Sequence, residues 1–393
     1  MATGGLALLV SPVVQPYTFP GLNTLGKIIY IFDLILFLSI TSVLAYRFIA
    51  HRHKNLLMHS ITHPTESLFV ATFLLAQAAI IAGMARYGIP SCGPWLVVGY
   101  RVLFWVYFSV SFLFAVAMYT LLFTSPSLTI RDMTPAWDFP IFPFMLAGTI
   151  ASAGAQYQPP SQAVPMIIGG VMAQGLGFLV SMMMYSIYIR RMIQFGFPAP
   201  NIRPAMFIAV GPPSFTALAL LGMANDWPRG YIDYFGFAMQ GTNTSPDTMI
   251  SVMRLLATLT ACFIYCLAAW FFFVTVIANI LSAREMTFHL NWWAFVFPNI
   301  GFTMATISIG KVFQSVGTMW VGSIMTVLLV VLYLFVLGRS MLAVWRREIL
   351  WQGKDEDKYY TSLHLENRKM RTRENKHLAD VVDGPVGDAE KQD

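Results

Sequence analysis

The sequence predicts an all-α integral membrane protein of ten transmembrane helices, arranged as five hairpins with inner odd-numbered and outer even-numbered helices. Composition is the first observation, because 56% of the 393 residues are apolar and only 11% are charged, whereas soluble domains carry about 25% charged residues. The second is a series of apolar segments up to residue 350, most of them as long as the roughly 20 residues that cross a bilayer. Together these observations argue against a water-soluble protein.

The apolar segments set the predicted helix count. The first, 1–10, ends at Ser11 and Pro12, and ten residues at about 1.5 Å each cover about half of the hydrocarbon core. We therefore expect a short first helix, or one whose upstream residues are missing. The other nine helices are predicted at 25–46, 65–84, 94–123, 137–155, 163–188, 204–223, 248–281, 292–310 and 314–337.

Charge distribution predicts the domains and the topology. Residues 1–350 contain seventeen basic and nine acidic side chains, whereas 351–393 mixes both signs, so we expect a cationic membrane domain and a flexible, charged cytoplasmic tail. With the N-terminus in the cytoplasm, eleven basic residues flank the inner ends of the segments and six flank the outer ends. Basic residues concentrate on the cytoplasmic side of membrane proteins. Both termini are therefore predicted to be cytoplasmic.

Proline distinguishes the odd-numbered segments from the even-numbered ones. Pro143, Pro212 and Pro298 lie within odd segments, where a proline frees a carbonyl and kinks the helix. Lipid tolerates freed backbone groups only where protein or a water-lined cavity satisfies them. The odd helices are therefore predicted to face inward, although kinks that only aid packing remain an alternative.

No ionisable side chain occupies the middle third of an odd segment. Amide groups freed at broken helix turns carry partial positive charge and suit an anion, so the pattern favours an anion path over a cation path, although a packed bundle would look similar. The residues predicted to line such a path are weakly polar, small or apolar. They are Gly4, Gly5, Phe144, Thr149, Gly211, Pro212, Ser214, Thr216, Pro298, Asn299 and Thr303.

Three charged residues lie deeper in the predicted membrane segments than the charges that flank the segment ends. Asp33, Arg101 and Arg254 each lie seven or eight residues inside an even segment, where an unpaired charge is costly. We expect Asp33 and Arg101 to form a structural ion pair. Arg254 has no acidic partner at its level on an even helix and is the better candidate to contact a substrate.

Motifs for catalysis are missing from the sequence. It contains neither a Walker A loop nor the H-E-x-x-H and G-x-S-x-G patterns, and its three cysteines show no paired spacing. We therefore expect no metal, no cofactor, no enzymatic activity and no nucleic-acid partner. A membrane-embedded enzyme would need a metal or a nucleophile constellation, and a scaffold would not need proline-broken helices.

Five strings carry a family resemblance that covers residues 1–350. They resemble the tellurite-resistance and dicarboxylate transporter family, and most closely its fungal malate or C4-dicarboxylate permeases; the family also includes sulfite efflux pumps and plant slow anion channels. Members usually have a cytoplasmic segment ahead of the first string, so the sequence leaves the position of the natural N-terminus undetermined. The strings are MATGGLALLV, HPTESLFVATFLL, FPIFPFMLAGTIAS, RPAMFIAVGPPSFTALALLG and HLNWWAFVFPNIGFTMATISIG.

The resemblance implies a multi-pass plasma-membrane protein, expected to be a homo-oligomer, with five inner helices around a central anion pore in each protomer. A phenylalanine beside the ninth-helix proline blocks the pore in that family, and it corresponds to Phe297 here. The implied substrates are malate and related C4-dicarboxylates, with sulfite or another small anion as the alternative. Direction of transport, proton coupling and oligomer number stay open.

A dicarboxylate substrate predicts an arginine near the path, because arginine is the preferred bidentate partner of a carboxylate. Arg254 ranks first because Arg101 is expected to pair with Asp33. Behind it come Arg86 and Arg203, with Lys311 as a point charge near the outer mouth.

Overall fold

The computed structural model describes residues 1–50, 66–124, 130–228 and 245–349, and the regular structure in these ranges is helical throughout. The chain divides into two units, Met1–Ser340 and Met341–Asp393. The charged tail predicted at 351–393 lies outside the described residues.

Ten α-helices form in the described ranges, in agreement with an all-α membrane protein. They are α1 Ala2–Val10, α2 Leu22–Ala50, α3 Glu66–Gly83, α4 Trp95–Thr124, α5 Phe142–Gly154, α6 Pro160–Phe195, α7 Gly211–Asn225, α8 Pro246–Ile280, α9 Phe297–Val312 and α10 Val316–Trp345. Eight helical stretches in this part of the chain are long and apolar enough to cross a membrane. The nine residues of α1 and the thirteen of α5 are too few to do so alone, so ten spans remain a prediction.

The odd-numbered helices close into a ring, in which α1 contacts α3, α3 contacts α5, α5 contacts α7, α7 contacts α9, and α9 returns to α1. We call these five the inner helices, and α2, α4, α6, α8 and α10 the outer helices. All nine residues of α1 are buried, whereas only Leu22, Gly26, Tyr30 and Asp33 are buried among the 29 of α2. The ring is therefore enclosed by an outer layer whose apolar faces remain available to lipid.

The five inner helices run in the same direction, because in every neighbouring pair a step forward along one helix is matched by a step forward along the other. We call the end at which they start the N-terminal side and the opposite end the C-terminal side. Between α1 and α3, Gly4 lies beside Ala79 and Ala7 beside Tyr87; between α3 and α5, Phe69 lies beside Phe139, and the Tyr107 hydroxyl contacts both Leu74 and Pro143. Between α5 and α7, Phe142 lies beside Gly211 and Ser152 beside Gly222; between α7 and α9, Gly211 lies beside Pro298 and Phe215 beside Gly301. Between α9 and α1, Gly5 lies beside Ile300 and Val13 beside Lys311.

Three inner helices are broken at the predicted prolines. The 3₁₀ segments Pro135–Asp138, Pro200–Val210 and Leu290–Phe295 precede α5, α7 and α9 respectively, and each α-helix then begins with proline in its first two positions. Proline fits there because N–H groups in the first turn of a helix have no partner within the helix, so the N–H group that proline lacks is not missed. The prediction that proline marks broken odd helices is confirmed.

Side chains donate hydrogen bonds to main-chain carbonyls beside two of these breaks. The Asn299 side-chain amide donates to the Phe295 carbonyl at 2.9 Å, and the Tyr107 hydroxyl donates from α4 to the Pro143 carbonyl at 2.8 Å. Such replacement is what an apolar environment demands of a broken helix.

The third inner helix is irregular in a different way. It has no internal proline, but α3 continues as a π-helix over Met84–Gly88 at its C-terminal end. π-Helical turns are rare and occur often at functional sites. This turn carries Arg86.

Candidate functional site

The three helix breaks meet at one level of the ring. A Cβ atom built on Gly211 would lie 3.4 Å from Phe142 and 4.0 Å from Pro298, so the starts of α5, α7 and α9 surround a residue without a side chain. Parallel helices that begin together direct the partial positive charge of their first amide groups toward the same region. This level is therefore suited to a negative charge.

Phe297 lies at that level, as the first residue of α9. Its ring stacks on the ring of Phe215 from α7, with centroids 5.5 Å apart and planes at 29°. On the opposite side, a Cβ built on Gly5 of α1 would lie 3.5 Å from the Phe297 ring. Phe297 is only 6% exposed, so the ring fills space between α1 and α7.

Phe215 is a residue that sequence reasoning missed. It is buried, and a Cβ built on Gly301 of α9 would lie 2.7 Å from its ring, so the stack requires glycine at that position. Gly301 stands four residues after Phe297 in the sequence, on the same helix face. That spacing was the available signal for a second ring opposite the first.

The hydroxyl groups of Ser214 and Thr303 are bound to the backbone. Each donates to the carbonyl four residues earlier, Val210 and Asn299 respectively, and both side chains are fully buried. Their protons are therefore not free for a passing ion.

Two further predicted residues keep polar atoms free. The Thr149 hydroxyl and the Asn299 Oδ1 are buried, and neither has a hydrogen-bond partner among the described residues. Buried polar atoms are nearly always bonded to protein or water. These two atoms on α5 and α9 are accordingly the groups of the wall that remain available to water or an ion.

Other predicted lining residues face neighbouring helices. The ring of Phe144 lies 4.9 Å from that of Phe108 on α4, and the Thr216 hydroxyl accepts a hydrogen bond from Gln174 on α6 at 2.8 Å. Both side chains thus contact the outer layer. Pro212 is buried in the first turn of α7, and Gly4 lies against α2 and α3.

Three of the four predicted carboxylate-binding cations donate to main-chain carbonyls. Arg254 binds the carbonyl of Asn225, the last residue of α7, at 3.0 Å. Arg203 binds the Pro198 and Ala278 carbonyls at 2.9 and 3.0 Å, and Lys311 binds Val13 at 2.8 Å. These bonds give all three side chains a structural role.

Arg86 is arranged differently. It is half-buried, and within the described ranges it makes neither a hydrogen bond nor an ion pair of 4.0 Å or less. Asp226 and Lys311 lie within electrostatic range of its guanidinium group. Arg86 is thus the predicted cation whose donors remain available on the C-terminal side.

Asp226 follows α7 at the same end of the ring. Burial raises the pKa of its carboxyl to about 6 from the ordinary 3.8, and Arg86, the Gln156 N–H group and Arg254 oppose that rise. The group therefore changes charge near neutral pH, next to the free arginine.

Asp33 has a different partner from the one predicted. Its carboxylate lies 3.7 Å from the Met1 amino group and packs against Gly4 in the first turn of α1, whereas Arg101 forms no ion pair in the described part of the chain. The cause is the small Gly4, which lets α2 approach the first turn of α1, where helix amides favour an anion. The expected Asp33–Arg101 pair is thus replaced by a contact with α1.

Comparisons with known proteins identify the family of this chain. Residues 1–341 match the family model described as SLAC1, voltage-dependent anion channel. The chain is 36% identical over 360 residues to a malic acid transport protein of Schizosaccharomyces pombe, covering 91% of this chain and 79% of that protein. It is 33% identical over 395 residues to a putative malic acid transport protein of the same organism, covering 98% and 89%.

A more distant relative has another stated substrate. The sulfite efflux pump of Arthroderma otae is 24% identical over 359 residues, which are 89% of this chain and 90% of that protein. Members of the matched family are transporters or channels rather than enzymes. The chain therefore belongs to the SLAC1 family of anion channels and transporters, which is the tellurite-resistance and dicarboxylate transporter family that its sequence resembles.

Proposed function

We propose that this protein moves malate and related C4-dicarboxylate anions across the plasma membrane, through the space enclosed by the inner helices, and that Phe297 closes the path. The observation that carries the proposal is the stack of Phe297 on Phe215, at the level where three inner helices begin. An apolar constriction excludes water and ions together, which is how hydrophobic gates close a pore.

The polarity of this level supports an anion. Dehydrating a carboxylate is unfavourable unless hydrogen-bond donors replace its water. No side chain caps the first turns of α5, α7 and α9, so the positive ends of these helices remain available to an anion. Broken helices bind ions in this way in other transporters.

Arg86 is proposed as the first contact of a substrate carboxylate on the C-terminal side. Among the predicted cations it has unengaged donors, and its guanidinium group matches the geometry of a carboxylate. Arg254, Arg203 and Lys311 rank behind it because their donors already bind carbonyls.

Malate is preferred over sulfite because of the relatives. The two relatives above 30% identity are named for malic acid transport, whereas those named sulfite efflux pumps are 24 to 26% identical. Sulfite, or another small anion, is the second candidate. Both anions suit a positively polarised path, so the experiment must separate them.

The topology and the assembly that we propose are those expected from the sequence. We propose a multi-pass protein with both termini in the cytoplasm, which associates with further copies of itself and with lipid. Large apolar side chains on the outer helices support lipid contact; Phe263 and Ile49, for example, are 83% and 76% exposed.

Uptake into proteoliposomes tests the function. Purified protein is reconstituted, and the entry of labelled malate and of labelled sulfite is compared at an imposed membrane potential, with protein-free liposomes as the control. We expect malate to enter faster than sulfite and unlabelled succinate to compete with it. Sulfite flux without malate flux would move the assignment to the second candidate, and the absence of both would overturn it.

A further inference from the structure

Asp138 is a fully buried acid outside the proposed path. It ends the 3₁₀ segment Pro135–Asp138, and its exposure is 0%. This segment packs against α6, α3 and the 3₁₀ segment Pro200–Val210 that precedes α7. Acids in such positions are nearly always paired or neutralised.

The groups facing Asp138 include no cation among the described residues. The helix α6 presents the hydroxyl groups of Ser181 and Tyr185, and α4 presents Tyr119, which lies within electrostatic range. In the neighbouring 3₁₀ segment, Arg203 is engaged by two carbonyls. The described side chains of α3 are uncharged until Arg86, at the opposite end.

Hydrogen-bond donors near Asp138 are already used. The Ser181 hydroxyl donates to the Gly177 carbonyl at 2.8 Å, and the Tyr185 hydroxyl donates to the Ile208 carbonyl at 3.5 Å. A carbonyl can only accept, so each of these bonds directs the hydroxyl proton to the backbone, while both hydroxyl oxygens stay close enough to Asp138 to be its hydrogen-bond partners. With both protons engaged in this way, neither carboxyl oxygen of Asp138 has a donor among the described residues.

This arrangement fits a carboxyl group that carries a proton. Each hydroxyl oxygen still offers lone pairs, and only a protonated carboxyl has an O–H group to donate to them. A carboxylate in the same place would be buried without a donor or a counter-charge, which is strongly unfavourable.

We propose that Asp138 is a proton-binding site, and that Tyr185 transmits its occupancy to the 3₁₀ segment before α7. When the proton leaves for water on the N-terminal side, the Tyr185 O–H group turns to the carboxylate and its bond to the Ile208 carbonyl breaks. Ile208 stands three residues before Gly211, where the helix breaks meet. Loss of the proton therefore loosens the segment that holds α7, and with it Phe215, against Phe297.

The proposal predicts opposite effects for two substitutions. Asp138→Asn keeps a donor at this place and has no proton to lose, so the segment stays held at every pH. Tyr185→Phe deletes the bond to Ile208, so the segment is loosened at every pH. Anion flux in the unsubstituted protein rises with pH between these two limits.

Infrared spectroscopy tests the proton site without any transport. Difference spectra between acidic and alkaline pH are recorded in an Asp226→Asn background, because burial also raises the pKa of Asp226, to about 6. We expect the carbonyl band of a protonated carboxylic acid, lost in Asp138→Asn, shifted in Tyr185→Phe and unchanged in the exposed control Asp247→Asn. A band that survives Asp138→Asn unaltered overturns the proposal.

Flux measurements test the transmission. Malate uptake is followed across the same pH range at constant malate dianion concentration, in the same background. The alkaline-to-acid flux ratio should fall to unity in both variants, at the low level in Asp138→Asn and at the high level in Tyr185→Phe. Unchanged pH profiles in both would refute the role of Tyr185. This arm rests on the proposed transport of malate whereas the infrared arm does not, so the two proposals fail separately.

Discussion

The inner and outer helices share an apolar composition but differ in continuity. The outer helices α6 and α8 run for 36 and 35 residues, whereas α5 and α7 reach only 13 and 15 before or after a change of helix type. Long continuous helices suit lipid contact, and α6 stays continuous although Pro165 lies within it. The breaks that change helix type at a proline in α5, α7 and α9 lie in the ring, where protein surrounds them.

The outer layer also supplies what the ring lacks. Tyr100 and Tyr107 of α4 donate from their hydroxyl groups to the Ile150 and Pro143 carbonyls of α5, at 2.6 and 2.8 Å. An outer helix thus stabilises the irregular backbone of an inner one. The comparison predicts that substitutions in the ring alter transport, whereas similar substitutions at outer-layer positions that face away from the ring leave it unchanged.

Phe297→Ala should have the largest effect. Removing the ring eliminates the apolar constriction and should raise malate flux about tenfold or more, which corresponds to a barrier lowered by about 1.4 kcal/mol. Flux into proteoliposomes at equal protein content measures it. The matched control is Phe263→Ala on α8, whose ring is exposed. Equal flux in both variants would show that Phe297 only packs the ring.

Arg86→Gln should have the second-largest effect on malate transport. It keeps hydrogen-bonding capacity but deletes the charge, and a charge-assisted bond is worth about 1.5 to 3 kcal/mol, so the apparent malate affinity should fall about tenfold or more. Concentration dependence of uptake gives the affinity. Arg101→Gln on α4 is the outer-layer control, and Arg254→Gln should lower thermal stability while leaving affinity unaltered. The opposite pattern would return the assignment to Arg254.

Gly301→Ala tests the tightness of the ring. The new methyl group would lie 2.7 Å from the Phe215 ring, and overpacking of this kind costs about 1 to 3 kcal/mol of stability. Gly175 of α6 has nothing within 4 Å of a built Cβ, so Gly175→Ala should be neutral or stabilising by up to about 1 kcal/mol. Thermal unfolding in detergent compares the two variants. A stable Gly301→Ala protein would mean that the stack can shift.

Asp226→Asn should have the smallest effect. The pKa of Asp226 is raised to about 6 by burial, so the native state binds its proton more tightly than the unfolded state does. Its contribution to stability is accordingly greatest at acidic pH and declines as the pH rises from about 4 to 6. Once ionised, its charge also offsets the positive field of Arg86.

Malate affinity at constant dianion concentration should therefore weaken as the pH rises through about 6. The change should be about two- to fivefold, since partly screened charge pairs are worth about 0.5 to 1 kcal/mol. We expect Asp226→Asn to abolish this dependence. Persistence of the full pH effect on affinity in that variant would assign it to another group.

Sequence reasoning predicted the helices and their breaks better than it predicted side-chain partners. Pro143, Pro212 and Pro298 mark the breaks because the missing N–H group is a local property of the chain. Counting residues gives the depth of Asp33 and Arg254 but not the direction in which each side chain points. The actual partners, the start of α1 and the end of α7, depend on which helices lie side by side.

The same limit applies to Phe215. Its position in the chain places it near a helix break, but its stacking on Phe297 depends on the register between α7 and α9, which the opposing Gly301 allows. The π-helical turn that carries Arg86 has no sequence signal comparable to proline. The position of the Phe215 ring and the turn at Arg86 therefore depend on packing between helices rather than on local sequence preference.

The common direction of the five inner helices has an electrical consequence. Helix dipoles that point the same way add along the axis instead of cancelling as they do in an antiparallel bundle. An anion entering from the N-terminal side meets a different potential from one entering at the C-terminal side. For the proposed path we therefore expect rectification, in which equal and opposite voltages drive unequal anion currents.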